Sequence, residues 1–157
     1  LELLLTSPVR EWEVVLGKYI ASLLMLLAIL AVTSYYVILM YVFGTPDSGP
    51  VFSAYIGLIL YGATALSIGL LGSSLSSNQI VAAVVGTAVL LFFSFINRVS
   101  TVIEGAPASF LDALSMESRL ADFTRGIIDT SHIVYFLSLT AIFIFITIRS
   151  LETRRWR

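Results

Sequence analysis

A single histidine, His132, stands at the head of an apolar run, with Asp129 just before it. Because it is the only histidine, zinc sites built on paired histidines and bis-histidine haem are excluded. At the start of an apolar segment, His132 reads more simply as an interfacial polar group or a helix-start residue. Ser67, in Leu66-Ser67-Ile68-Gly69, vaguely resembles an intramembrane serine nucleophile, yet no histidine lies within the apolar runs to act as its base. Aspartate and glutamate fall only outside those runs, which leaves a proton-driven carrier or charge-selective pore without ionisable groups to work with. There is no GxxxxGK[ST] phosphate loop and no basic, aromatic-interleaved patch for nucleic acid. With no cysteine there is no disulfide framework and no thiolate chemistry. The residues therefore offer no catalytic group, no cofactor site and no metal site. Any energy source must lie on another chain.

The elements around these residues belong to a membrane. The chain is 58% hydrophobic and 12% charged, where a soluble domain carries about a quarter charged residues. No charge occurs from Tyr19 to Pro46 or from Ser48 to Asn97. Such runs predict an all-α, polytopic bundle with four transmembrane helices and additional amphipathic interfacial helices. The first span is expected over about 14–43, with Tyr35, Tyr36 and Tyr41 as an aromatic belt. Gly44 to Pro50 ends it. The second and third spans, about 51–71 and 80–97, are divided by the polar cluster Gly72 to Gln79. Ala65 with Gly69, and Ala82 with Gly86, place small residues one turn apart, the spacing that lets helices approach closely in lipid. The last span is expected over about 131–149, followed by a basic, Trp-containing tail.

Two amphipathic stretches flank these spans. Residues 1–13 mix leucines with Glu2, Arg10, Glu11 and Glu13, and read as a segment lying along a membrane face before the transmembrane domain of residues 14–157. Ser7-Pro8 predicts a corner and a new helix from Pro8, with Trp12 at headgroup level. The outer stretch, 98–130, is too apolar for a solvated linker. Pro107 can open one short helix carrying Phe110 and Leu114. Ser115 or Ser118 can cap a second, with Leu120, Phe123 and Ile127 on one side. Both are expected to lie on the membrane surface. The Gly44–Pro50 turn has no Lys or Arg, whereas Arg10, Lys18 and four tail arginines mark the two ends. The positive-inside rule then puts both termini in the cytoplasm and 98–130 outside.

Two stretches carry a family resemblance. ELLLTSPVREWEVVLGKYIA resembles the cytoplasmic coupling segment of type-two ABC exporter permeases, matching at Glu2 to Thr6, Pro8, Val9, Gly17 and Lys18. FTRGIIDTSHIVYFLSLTAIFIFITIRSLETRRWR is similar to the last outer segment and final span of that family, at Phe123, Gly126, Asp129, Tyr135, Phe136, Leu151, Glu152, Arg154, Arg155 and Trp156. The branch it most resembles is the gliding-motility and copper-site-maturation type. The resemblance implies that two preceding spans are missing, so that Tyr19 onward corresponds to spans three to six of six. It also implies a bacterial or archaeal cytoplasmic membrane, pairing with a second permease subunit, and a separate ABC ATPase subunit that hydrolyses ATP to drive substrate outward. By position, Leu3, Leu4, Leu5, Pro8, Arg10, Glu11 and Trp12 would touch that ATPase. Phe110, Leu114, Leu120, Phe123 and Ile127 would lie near the outer exit. The alternative is a membrane scaffold or assembly protein whose amphipathic ends recruit partners without moving a solute.

Overall fold

The computed structural model describes residues 10–155, and each helix in it starts and stops on identifiable chemistry. Arg10 is extended and its N–H donates to the Glu13 carboxylate at 3.2 Å, which starts α1, Glu11–Phe43. The helix therefore begins at Glu11; Pro8, where the sequence placed its start, lies outside the described residues. At about 1.5 Å per residue, α1 spans about 50 Å against a hydrocarbon core of about 30 Å, so it tilts or projects beyond the core. Gly44, in extended conformation, ends it. The Asp47 carboxylate accepts the Gly49 N–H at 3.2 Å and starts α2, Ser48–Leu75. The Asn78 side chain accepts from Ile80 N–H at 3.0 Å and starts α3, Gln79–Ser100.

The second span thus runs past Leu71, its expected end, to Leu75. The serines that read as a turn stay helical because their hydroxyls can bond back to the preceding turn. Ser74 Oγ donates to the Leu71 carbonyl at 2.7 Å. Only Ser76 to Asn78 form the turn.

Two short helices follow, α4 (Ala106–Leu114) and α5 (Met116–Thr124), and then α6 (Thr130–Arg155). Pro107 sits in the first turn of α4. Ser115 caps α5, its Oγ accepting from Ser118 N–H at 3.3 Å. Because α5 stops at Thr124, Ile127 does not share its face; it lies exposed beyond the helix, a correction to the expected grouping with Leu120 and Phe123. The cause is Gly126, whose φ of +88° turns the chain back after Arg125.

The fold is all-α, with no strand among the described residues and four helices (α1, α2, α3, α6) long and apolar enough to cross a membrane. Helix α2 is central, packing against α1, α3, α5 and α6. Its buried face is small and polar: Ser53, Gly57, Thr64, Ser67, Gly72 and Ser74, with Ile68. In lipid there is no water to expel from between helices, so close approach and hydrogen bonds hold them together. Small residues allow the first, and hydroxyls supply the second. Gly86, singled out by spacing, faces α2 at Gly69: a Cβ on Gly86 would lie 3.7 Å from Gly69 Cα.

Hydrogen bonds tie the spans at several depths. The Tyr19 hydroxyl donates to the Ala63 carbonyl at 3.0 Å, and Tyr61 and Ser94 hydroxyls pair at 3.3 Å. Thr64 Oγ1 lies 3.1 Å from the Phe136 carbonyl and 3.0 Å from Thr140 Oγ1, joining α2 to α6. Thr64→Val keeps the shape and deletes this link. It is expected to cost about 0.6 kcal/mol, and at most about 1.7, in bicelle unfolding. Ile68, Met116, Phe123, Phe136 and Phe143 form the apolar centre around these bonds.

Candidate functional site

Two ends of the bundle gather the residues that could act on something outside it. At one end, the start of α1 meets the ends of α2 and α6 around a crevice of about 50 Å³ lined by Val14, Val15, Lys18, Ser73, Thr147 and Leu151 among others. Val15 is the anchor, 1% exposed. Just before it, Arg10 and Trp12 are exposed and Glu11 is half-buried on the first turn. Arg149 and Glu152 form an exposed ion pair on the last turns of α6, at 3.2 Å. This end therefore presents charge and an indole beside a rigidly packed α1. Of the residues named as the ATPase contact, Arg10, Glu11 and Trp12 are found here. Leu3, Leu4, Leu5 and Pro8 lie outside the described residues.

The opposite end is capped by α4 and α5. Phe123, fully buried, seats α5 on Gly57 of α2, where an added Cβ would come within 2.5 Å of Phe123 Cβ. Met116 is also fully buried, Leu114 and Leu120 are half-buried, and Phe110 is exposed. Gly126 lies against Pro50 at the start of α2, so the chain leaving α5 closes over the top of that helix.

Here the histidine finds partners that the sequence did not reveal. His132 Nε2 lies 2.8 Å from Asp122 Oδ2, and His132 Nδ1 lies 2.9 Å from Arg119 Nη1. Arg119 also donates from Nε and Nη2 to the Ala113 carbonyl, at 3.3 and 2.8 Å, and stacks over the Tyr135 ring at 4.0 Å. The Tyr135 hydroxyl donates to the Leu114 carbonyl. A guanidinium has no acceptor, so its bond to Nδ1 requires that nitrogen to accept. The ring proton is then on Nε2, donated to Asp122.

Asp129, the neighbour that the sequence suggested, has another task. Its carboxylate accepts the Ser131 N–H at 3.0 Å at the start of α6. That backbone bond, then the Ser131 hydroxyl, and further the nearby His132 and Arg119, hold its pKa below the ordinary carboxylate value. Arg119, Asp122, Asn97, Asp112, Arg125 and His132 line a polar cleft of about 460 Å³. No sequence signal marked Arg119 or Asp122, because they reach His132 across a turn rather than along one helix. Ser67 is buried, with its hydroxyl donating to the Thr64 carbonyl at 2.6 Å, an ordinary intrahelical role.

No curated protein and no solved structure matches the chain. The family model for ABC-2 family transporter protein matches residues 1–116, which takes in the first three spans and α4. With four helices able to span a bilayer and this match over most of its length, the chain belongs to the ABC-2 transporter family and is a multi-pass membrane permease of that family.

Proposed function

We propose that the chain is the transmembrane permease subunit of an ATP-driven exporter, with hydrolysis carried out by a separate ABC ATPase subunit. Residues 1–13 form the docking segment and residues 14–157 the transmembrane domain. A second permease subunit, identical or related, completes the pathway in a bacterial or archaeal cytoplasmic membrane. Both ends of the chain face the cytoplasm, and α4 and α5 face outward. Within the family, the resemblance favours the gliding-motility and copper-site-maturation branch.

The observation that carries this reading is the family match together with the packing of Val15. A docking segment transmits force only when the helix after it is fixed to the spans. Val15 is almost completely buried where α1 meets α2 and α6, a few residues after Glu11 and Trp12. A push on the first turn of α1 therefore reaches α2, which touches three other spanning or capping helices besides α1. No charged residue occurs from Tyr19 to Pro46 or from Ser48 to Asn97, in keeping with an energy source on another subunit.

Reversing one charge on that first turn tests the reading. Glu11→Lys is expected to reduce permease-stimulated ATP hydrolysis about tenfold or more, since it places like charge where an acidic group meets the partner. The unfolding profile of the spans should not change. Normal stimulation by the Glu11→Lys protein would show that the first turn of α1 is not part of the contact.

A further inference from the structure

The Arg119–His132–Asp122 chain does more than pin a helix end. We propose that His132 is a proton-operated latch. Neutral, it holds Arg119, and through Arg119 the α4–α5 turn, against α6; protonated, it keeps Asp122 and releases Arg119.

Arg119 Nη1 bonds to His132 Nδ1 at 2.9 Å, which is possible only while Nδ1 carries no proton. Protonation puts an N–H there, facing another N–H on a guanidinium that already bears positive charge. The bond becomes a repulsion. On the other side, His132 Nε2 donates to Asp122 Oδ2 at 2.8 Å in either state, and that contact becomes an ion pair. One side of the imidazole therefore tightens as the other lets go.

Arg119 is the part whose release matters. Its Nε and Nη2 grip the Ala113 carbonyl near the end of α4 while its plane covers Tyr135 of α6. It thus joins three helices: α4, α5 and α6. Helix α5 stays seated without it, because Phe123 and Met116 remain buried. Helix α4 has no fully buried residue and depends more on this clamp and on its packing against α3. The Tyr135 hydroxyl on the Leu114 carbonyl is its remaining tie to α6.

The charges facing the imidazole come from each neighbour. Helix α5 supplies Arg119, Asp122 and Arg125; α4 supplies Asp112; the approach to α6 supplies Asp129; and α3 contributes only the neutral Asn97. Three carboxylates and two guanidiniums thus surround the imidazole. The His132 side chain is 13% exposed and lines the cleft of about 460 Å³, so protons can reach it.

The latch can be tested because His132 is the only histidine in the chain. ¹⁵N-histidine labelling of the full chain in nanodiscs gives the ring-nitrogen state directly, and amide hydrogen exchange, corrected for intrinsic rates, reports α4. Between about pH 8 and about pH 5, where imidazoles change charge, the ring should pass from the Nε2-protonated tautomer to the doubly protonated form. Protection of α4 amides should fall about tenfold or more, as expected for losing a hydrogen bond to a charged group. Amides of α2 in the same sample should not change. His132→Gln, whose amide can accept from Arg119 and donate to Asp122 without titrating, should abolish the step. The proposal is overturned if wild-type α4 protection does not change while the ring titrates, if α2 loosens in parallel, or if the step survives in His132→Gln. None of these readouts involves an ATPase or transport, so the latch can fail while the permease reading stands, and the reverse.

Discussion

Gly72→Val is expected to separate α2 from α3 and to cost at least the upper end of the about 1–3 kcal/mol typical of overpacking. A Cβ at Gly72 would lie 3.0 Å from the Ala82 carbonyl oxygen and 3.0 Å from both the N and Cα of Gly86. All three atoms are backbone. A crowded side chain can rotate away, but a crowded helix must move as a body, and α3 is joined to α2 by only the short Ser76–Asn78 turn. Gly69→Ala is the matched control. It adds the same first carbon one turn earlier on the same helix, where nothing lies within 4 Å, and it should not destabilise the protein in bicelle unfolding. Equal destabilisation by the two substitutions would show that the close contact with α3 does not control the effect.

The second large effect is expected at Gly57. In Gly57→Ala the new carbon would sit 2.5 Å from Phe123 Cβ and 2.8 Å from Cγ, far inside the about 3.5–4.0 Å of a favourable carbon contact. Alanine gains about 0.8–1.0 kcal/mol of helix propensity over glycine, but the clash outweighs it. Phe123 Cβ is fixed to its own backbone, so relief requires α5 to lift away from α2. Destabilisation of about 1–3 kcal/mol is expected, with protease sensitivity appearing in Met116–Thr124 before the spans unfold. Adding Phe123→Ala should not restore the contact, because alanine retains the carbon that collides. Full recovery in that double variant would mean that the ring, rather than the helix backbone, sets the spacing.

These two glycines show what a sequence does and does not reveal about such a bundle. The four spans were legible because charge is absent from long runs, a property of composition that needs no knowledge of packing. Pro107, and Ser115 as one of two candidate caps, marked the two short helices because capping is local chemistry. Gly72 was less legible: followed by a serine cluster it resembled a turn, whereas it lies helical against the backbone of α3. Whether a glycine bends a chain or admits a neighbour depends on the partner helix. Gly57 carried no signal for the same reason, since Phe123 is distant in sequence. The polar cluster around His132 was half visible. His132 was conspicuous, but its partners Arg119 and Asp122 belong to α5, and only the positive-φ turn at Gly126 brings them to it. At the start of α1, resemblance named Arg10, Glu11 and Trp12, and the structure adds the burial of Val15 just after them.

The most direct measurement for the account as a whole is recovery of the protein from its native membranes in mild detergent, scored for a bound nucleotide-hydrolysing subunit. It should be made for the wild type and for the combined Leu3→Ser, Leu4→Ser and Leu5→Ser variant. The account predicts that an ABC ATPase accompanies the wild type and is lost from the variant, while unfolding of the four spans is the same in both. If no ATPase accompanies the wild type in any detergent, the exporter reading gives way to a membrane scaffold. An ATPase that remains bound to the triple serine variant would place the coupling contact elsewhere on the chain.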